Sequence, residues 1–131
     1  MPYITKLFFL GFLSPVLIVP VGWLLSEEIL HLCFGIEFLS ASPILDLLLI
    51  SFFFMIPNLV LTQGTLAIDQ EHYYAKVTCA AALANIGLNL YFIPSMGPQG
   101  AAIGTIATEF FLLISIGVGI IRWRRKSVLE Q

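Results

Sequence analysis

Long apolar runs separated by short polar stretches set the pattern of this chain. Four runs, at about 6–25, 44–68, 73–93 and 99–123, take up most of its length. Each is close to the ~20 residues that carry a helix across a bilayer. None shows the alternation of lipid-facing and lumen-facing residues that a membrane β-barrel requires. Backbone groups in hydrocarbon must be satisfied within their own segment, so each run is predicted to be a transmembrane helix. The pattern gives one all-α integral membrane domain over residues 1–131, with outer segments 26–43 and 94–98. A connection at 69–72 and a tail at 124–131 lie on the inner side.

Composition agrees with this pattern. Hydrophobic residues make up 59 % of the chain and charged residues 11 %, against ~45–50 % and ~25 % in ordinary soluble domains. Too few charges remain to coat a soluble core. Six basic and eight acidic residues leave a net charge of −2, which provides no basic field for nucleic acid. The first run is too long for a signal-peptide core and is followed by Ser26-Glu27-Glu28 rather than a small-residue cleavage site, so it is expected to remain as a helix.

The basic residues orient the helices. Lys6, Lys76, Arg122, Arg124, Arg125 and Lys126 all fall on one side of a four-crossing chain, and the outer segments contain none. Lys and Arg mark the cytoplasmic face, so both termini are expected inside. Trp23, Trp123, Tyr73 and Tyr74 stand where interfacial aromatics belong. Cys33 and Cys79 lie too far apart in this topology to form a disulfide, and with His31 and His72 they make no metal-binding spacing. No cofactor or metal is expected.

Polar residues at depth are the candidates for function. Glu109 lies nine residues past Gly100, ~13 Å into a ~30 Å hydrocarbon core. It reads either as a proton or cation site or as a protonated acid bonded to a neighbouring helix. Asn85 and Asn89 share a helix face. A hairpin turning at 94–100 brings Asn85 to the depth of Glu109. Both asparagines read first as glue between helices and only second as ligands. Gly100, Gly104 and Thr108 form one stripe of small residues and Ala80 with Ala84 another, which marks helix packing. Pro57 is expected to kink the second helix, with Asn58 and Gln63 beside the kink. No nucleophile set, phosphate loop or carboxylate cluster occurs, so an enzyme is not expected.

Two segments carry a family resemblance. Residues 85–105 fit N-x-x-L-N-x-x-x-I-P-x-x-G-x-x-G-A-A-x-x-T, running from Asn85 and Asn89 through Ile93-Pro94, Gly97 and Gly100-Ala101-Ala102 to Thr105. Upstream, Phe34-Gly35, Phe38, Ala41 and Ile44-Leu45 fit F-G-x-x-F-x-x-A-x-x-I-L. Together they resemble the polysaccharide biosynthesis flippases of the MATE-like exporter superfamily. The resemblance implies the ninth to twelfth helices of a twelve-helix, two-lobed transporter, within the C-terminal lobe. It further implies alternating-access export of lipid-linked oligosaccharide across a bacterial or archaeal cytoplasmic membrane.

This chain departs from that pattern in lacking the N-terminal lobe and in having no Lys or Arg at hydrocarbon depth. It therefore reads as a C-terminal fragment or subunit, whose partner chain would supply the other lobe. The alternatives are a non-transporting remnant or accessory subunit that packs against a partner, and a small dimeric proton-coupled exporter using Glu109.

Overall fold

The computed structural model describes residues 2–129, leaving aside the side chains of residues 2–5, 7 and 8. Among the described residues every regular element is helical. Helix α1 spans Pro2–Leu24, α2 Ser26–Phe34, α3 Ser42–Leu66, α4 Glu71–Met96 and α5 Pro98–Leu129. A 3-10 turn at Ile36–Ala41 leads into α3. The 3-10 turn with α3, then α4, then α5, are long and apolar enough to cross a membrane. The part of α1 from Phe9 onward makes a fourth crossing with α2 if that pair, bent by 68°, counts as one span.

The helices outrun the apolar runs because nothing stops them at the hydrocarbon boundary. Past Trp123, the residues Arg124, Arg125, Lys126, Ser127 and Val128 include no glycine or proline, so α5 continues to Leu129. Between α4 and α5 the expected segment 94–98 shrinks to Gly97, and Pro94 lies inside α4. Gly97 turns the chain at φ 60°, where a side chain is disfavoured. The predicted outer segment 26–43 is itself mostly helical. At its start, the Ser26 hydroxyl contacts that of Ser42 at 3.2 Å, tying the bend after α1 to the start of α3.

The α3–α4 turn is a Schellman motif. Gln70 N–H donates to the Thr65 carbonyl at 3.1 Å and Asp69 N–H to that of Leu66, also at 3.1 Å. Asp69 takes the left-handed position at φ 56°, a place usually given to glycine but open to a short polar side chain. The chain reverses in this turn and again at Gly97, so α3 and α5 run in the same direction.

In space the helices form a row in the order α1, α3, α5, α4. Helix α3 packs on α1 and α5, and α5 packs on α3 and α4, while α1 touches neither α4 nor α5 among the described residues. The α1–α3 register is antiparallel: Gly11 lies against Val60 and Gly22 against Leu49. It sets the buried Pro15 level with Ile56 and the buried Pro57. Helix α3 is assigned as continuous through Pro57. The α4–α5 register is antiparallel too, with Gly100 against Phe92, Gly104 against Asn89 and Gly119 against Tyr73. A row leaves two faces open: 22 % of the most apolar window of the α3 span is buried, and only 6 % of that of α4.

Candidate functional site

Helix α5 sits between two neighbours and presents a different stripe to each. Toward α4 it offers the close-packing residues Gly100, Gly104, Thr108 and Gly119. Phe54 of α3 meets Phe110 edge-on, with centroids 5.5 Å apart. Glu109 follows Thr108 directly, and a step of ~100° around the helix axis turns it from α4 toward α3.

Across the α3–α5 interface, the Asn58 side-chain amide donates two hydrogen bonds to Glu109. One goes to the carboxyl Oε2 at 2.7 Å and one to the backbone carbonyl at 2.8 Å. Bonding to that carbonyl fixes the amide's orientation, because its oxygen could not face another acceptor. Asn58 is only 5 % exposed, and its Oδ1 is buried without a hydrogen-bond partner. The pair therefore combines a carboxyl group, held at a defined position on the long apolar helix α5, with an unfilled buried acceptor beside it.

A second polar chain crosses α4–α5. Asn89 donates to Asn85 Oδ1 at 3.0 Å, Asn85 donates to Thr108 Oγ1 at 3.0 Å, and Thr108 donates to the Gly104 carbonyl at 2.8 Å. Asn85 thus lies level with Glu109, as hairpin counting predicts, but its partner is Thr108. The Asn89 Oδ1 is buried without a partner and occupies space that a side chain at Gly104 would need: a Cβ there would lie 2.8 Å from it.

Other expected positions fall elsewhere. Gln63 is exposed rather than gathered into the pair. Ala80 and Ala84 are exposed, and Ala81, 2 % exposed, takes the buried place on α4. The correction is one residue, or ~100° of rotation. The face bearing Tyr73, Ala81, Asn85 and Phe92 is the one turned to α5. Cys33 and Cys79 are free. Among the described residues no group of three or more His, Cys, Asp or Glu side chains could hold a metal ion.

Two features escape a reading of the pattern alone. Tyr73, expected as an interfacial aromatic, also donates its hydroxyl to the Ser115 carbonyl at 2.6 Å. Asp46, early in α3, keeps its Oδ1 buried without a partner. An acid one turn into an apolar helix was the available signal for the latter. Compared with protein-family models, curated proteins and solved structures, the chain matches none of them.

Proposed function

We propose that this chain is a transport module of the polysaccharide-flippase type. In this reading it crosses the membrane four times with both termini cytoplasmic, and works with helices of a second lobe supplied by a partner chain. The observation that carries the transport reading is the Glu109–Asn58 pair: a carboxyl group on a membrane-spanning helix, next to an unfilled buried acceptor. Ionisable groups in such positions mark proton and ion pathways. The substrate class, a lipid-linked oligosaccharide, rests on the resemblance of residues 34–45 and 85–105. The location of all six basic residues on one side of a four-crossing chain supports the orientation.

Co-reconstitution with a matching N-terminal lobe, followed by Glu109→Gln, tests this reading. Glutamine keeps an oxygen that can accept the Asn58 N–H but cannot release a proton. The expected result is loss of the pH-driven step with expression and helix association unchanged. Transport with unaltered pH dependence rules out Glu109 as the proton carrier.

A second reading, a packing subunit without transport, is favoured by one observation. Asn58, Glu109, Asn85, Asn89 and Thr108 all find partners within this chain, as residues acting as glue would. The same co-reconstitution separates the two, because a packing subunit leaves glycan export unrestored.

A further inference from the structure

Helix α2 leaves the row of helices at a sharp angle. Helix α1, Pro2–Leu24, is ~34 Å long at 1.5 Å per residue, enough to cross a ~30 Å hydrocarbon core without α2. It runs antiparallel along α3, from Gly11 at Val60 to Gly22 at Leu49. Helix α2 then turns away by 68°. Its nine residues, ~14 Å of helix, therefore advance only ~5 Å along the direction of α1. The Ser26–Ser42 contact fixes the bend at the level where α3 begins.

The side chains of α2 divide around its axis. At ~100° per residue, Ser26 and Leu30 share one side, and both are buried. Glu27, Glu28 and His31 fall within a separate arc of ~100°, all three exposed. Ile29 and Leu32 lie on one flank between these arcs and Phe34 on the other. Leu32 is 87 % exposed, and Ile29 and Phe34 are exposed too. Past the turn at Gly35, whose φ is 90°, Ile36 is 71 % exposed. A helix that lies beside other helices at a membrane surface meets three media: protein, acyl chains and water. The three kinds of side chain on α2 match them.

Level and charge identify the partner. Val21, Trp23, Leu24 and Leu25 around the bend are exposed as well, so apolar surface runs from α1 onto α2. For a membrane-spanning α1, the medium at that level is the boundary between headgroups and acyl chains. Residues 25–43 include Glu27, Glu28 and Glu37 but no Lys or Arg. Attraction to anionic lipid is therefore absent, and insertion rests on apolar area.

We propose that α2 and the 3-10 turn form an interfacial anchor on the side of the membrane opposite the α5 C-terminus. Ile29, Leu32, Phe34 and Ile36 enter the acyl layer of a zwitterionic leaflet, while Glu27, Glu28 and His31 face water. The inference rests on the membrane-embedded reading but not on transport.

The test places spin labels on the full chain in phosphatidylcholine vesicles, in a Cys33→Ala, Cys79→Ala background. Single labels go on Glu27→Cys, Ile29→Cys, His31→Cys and Leu32→Cys, and on Leu83→Cys, at an exposed position of α4, as the standard for lipid. Collisions with oxygen, which enters acyl chains, are compared with collisions with a water-soluble nickel chelate. Oxygen should dominate at 29, 32 and 83, and the chelate at 27 and 31. Adding Leu32→Glu should lower the oxygen preference at 29 about tenfold, whereas Leu32→Phe should preserve it. Phosphatidylglycerol in the vesicles should leave the pattern unchanged. Chelate access at all four α2 positions overturns the anchor, because α2 then stands clear of the membrane. Oxygen access at all four overturns it too, because α2 then continues the crossing of α1. Poor access of both reagents at 29 and 32 means that protein, such as a second copy, covers the flank instead of lipid. Docking that appears only with phosphatidylglycerol overturns the zwitterionic assignment. Chelate access at 83 marks failure of the membrane reading itself, and oxygen at 83 with chelate at 29 and 32 marks failure of the anchor alone.

Discussion

Asn58 is the residue on which the α3–α5 interface depends most. It is nearly fully buried and directs both of its N–H groups to Glu109. Interhelical hydrogen bonds in membranes contribute ~0.6–2 kcal/mol each. Replacing Asn58 by leucine fills the space but leaves the Glu109 carboxyl without its donor. Asn58→Leu is expected to lower stability by about 1–3 kcal/mol, measured by unfolding in mixed micelles. In the Glu109→Gln background the loss should persist, because glutamine still accepts. A neutral Asn58→Leu would mean that the pair does not hold these helices together. Gly119 and Tyr73 offer a sharper test of packing, since the ring occupies the space a Cβ would need. Gly119→Ala is expected to cost about 1–3 kcal/mol as an overpacked contact. With Tyr73→Ala the ring is gone, and adding Gly119→Ala should then be nearly neutral. Such non-additivity between touching residues would be absent if Tyr73 were merely an interfacial anchor.

The helix elements were legible in the sequence because an apolar run of ~20 residues has few alternatives in a bilayer. The facing of those helices was legible only where the chain itself constrains it. Counting outward from the 94–100 hairpin put Asn85 at the depth of Glu109, and the antiparallel α4–α5 register bears this out, with Asn85 on Thr108. The Asn58–Glu109 contact joins helices separated by a whole span, where no count along the chain predicts the pairing. Phase was the weak point: Ala80 and Ala84 make as good a small-residue spacing as any, yet Ala81 is the buried one. A face displaced by one residue is displaced by ~100°. Gly100 was assigned from the same kind of stripe and does lie at the close approach. A Cβ at Gly100 would sit 2.5 Å from the Phe92 carbonyl oxygen, a backbone atom that cannot swing aside. Gly100→Ala is therefore expected to destabilise the α4–α5 hairpin by about 1–3 kcal/mol, whereas Ala84→Leu on the exposed face should change stability by less than about 0.5 kcal/mol. Equal effects of the two would place the interface on the wrong face of α4.

At the scale of the whole molecule, a row of helices in a bilayer need not bury its two open faces against protein, since lipid solvates apolar side chains. What the row does fix is parity. Helices α3, α4 and α5 reverse direction in turn, so three crossings separate the α2 segment from the α5 C-terminus and place them on opposite sides, whether or not α1 crosses. The free, exposed Cys33 on α2 reports one side directly. In a Cys79→Ala background, a membrane-impermeant maleimide applied to intact cells should label Cys33. Ser127→Cys, on the last turns of α5, should be labelled only after permeabilisation if the basic end is cytoplasmic. Labelling of Cys33 and of a cysteine at 127 from the same side would mean that one of α3, α4 and α5 does not cross. Labelling of the cysteine at 127 alone from outside would keep the three crossings of α3, α4 and α5 but invert them. That result would move the basic end of α5 to the opposite side, while the Glu109–Asn58 pair would keep its place between α3 and α5. The parity measurement thus decides which leaflet the basic helix end faces, independently of whether the chain transports anything.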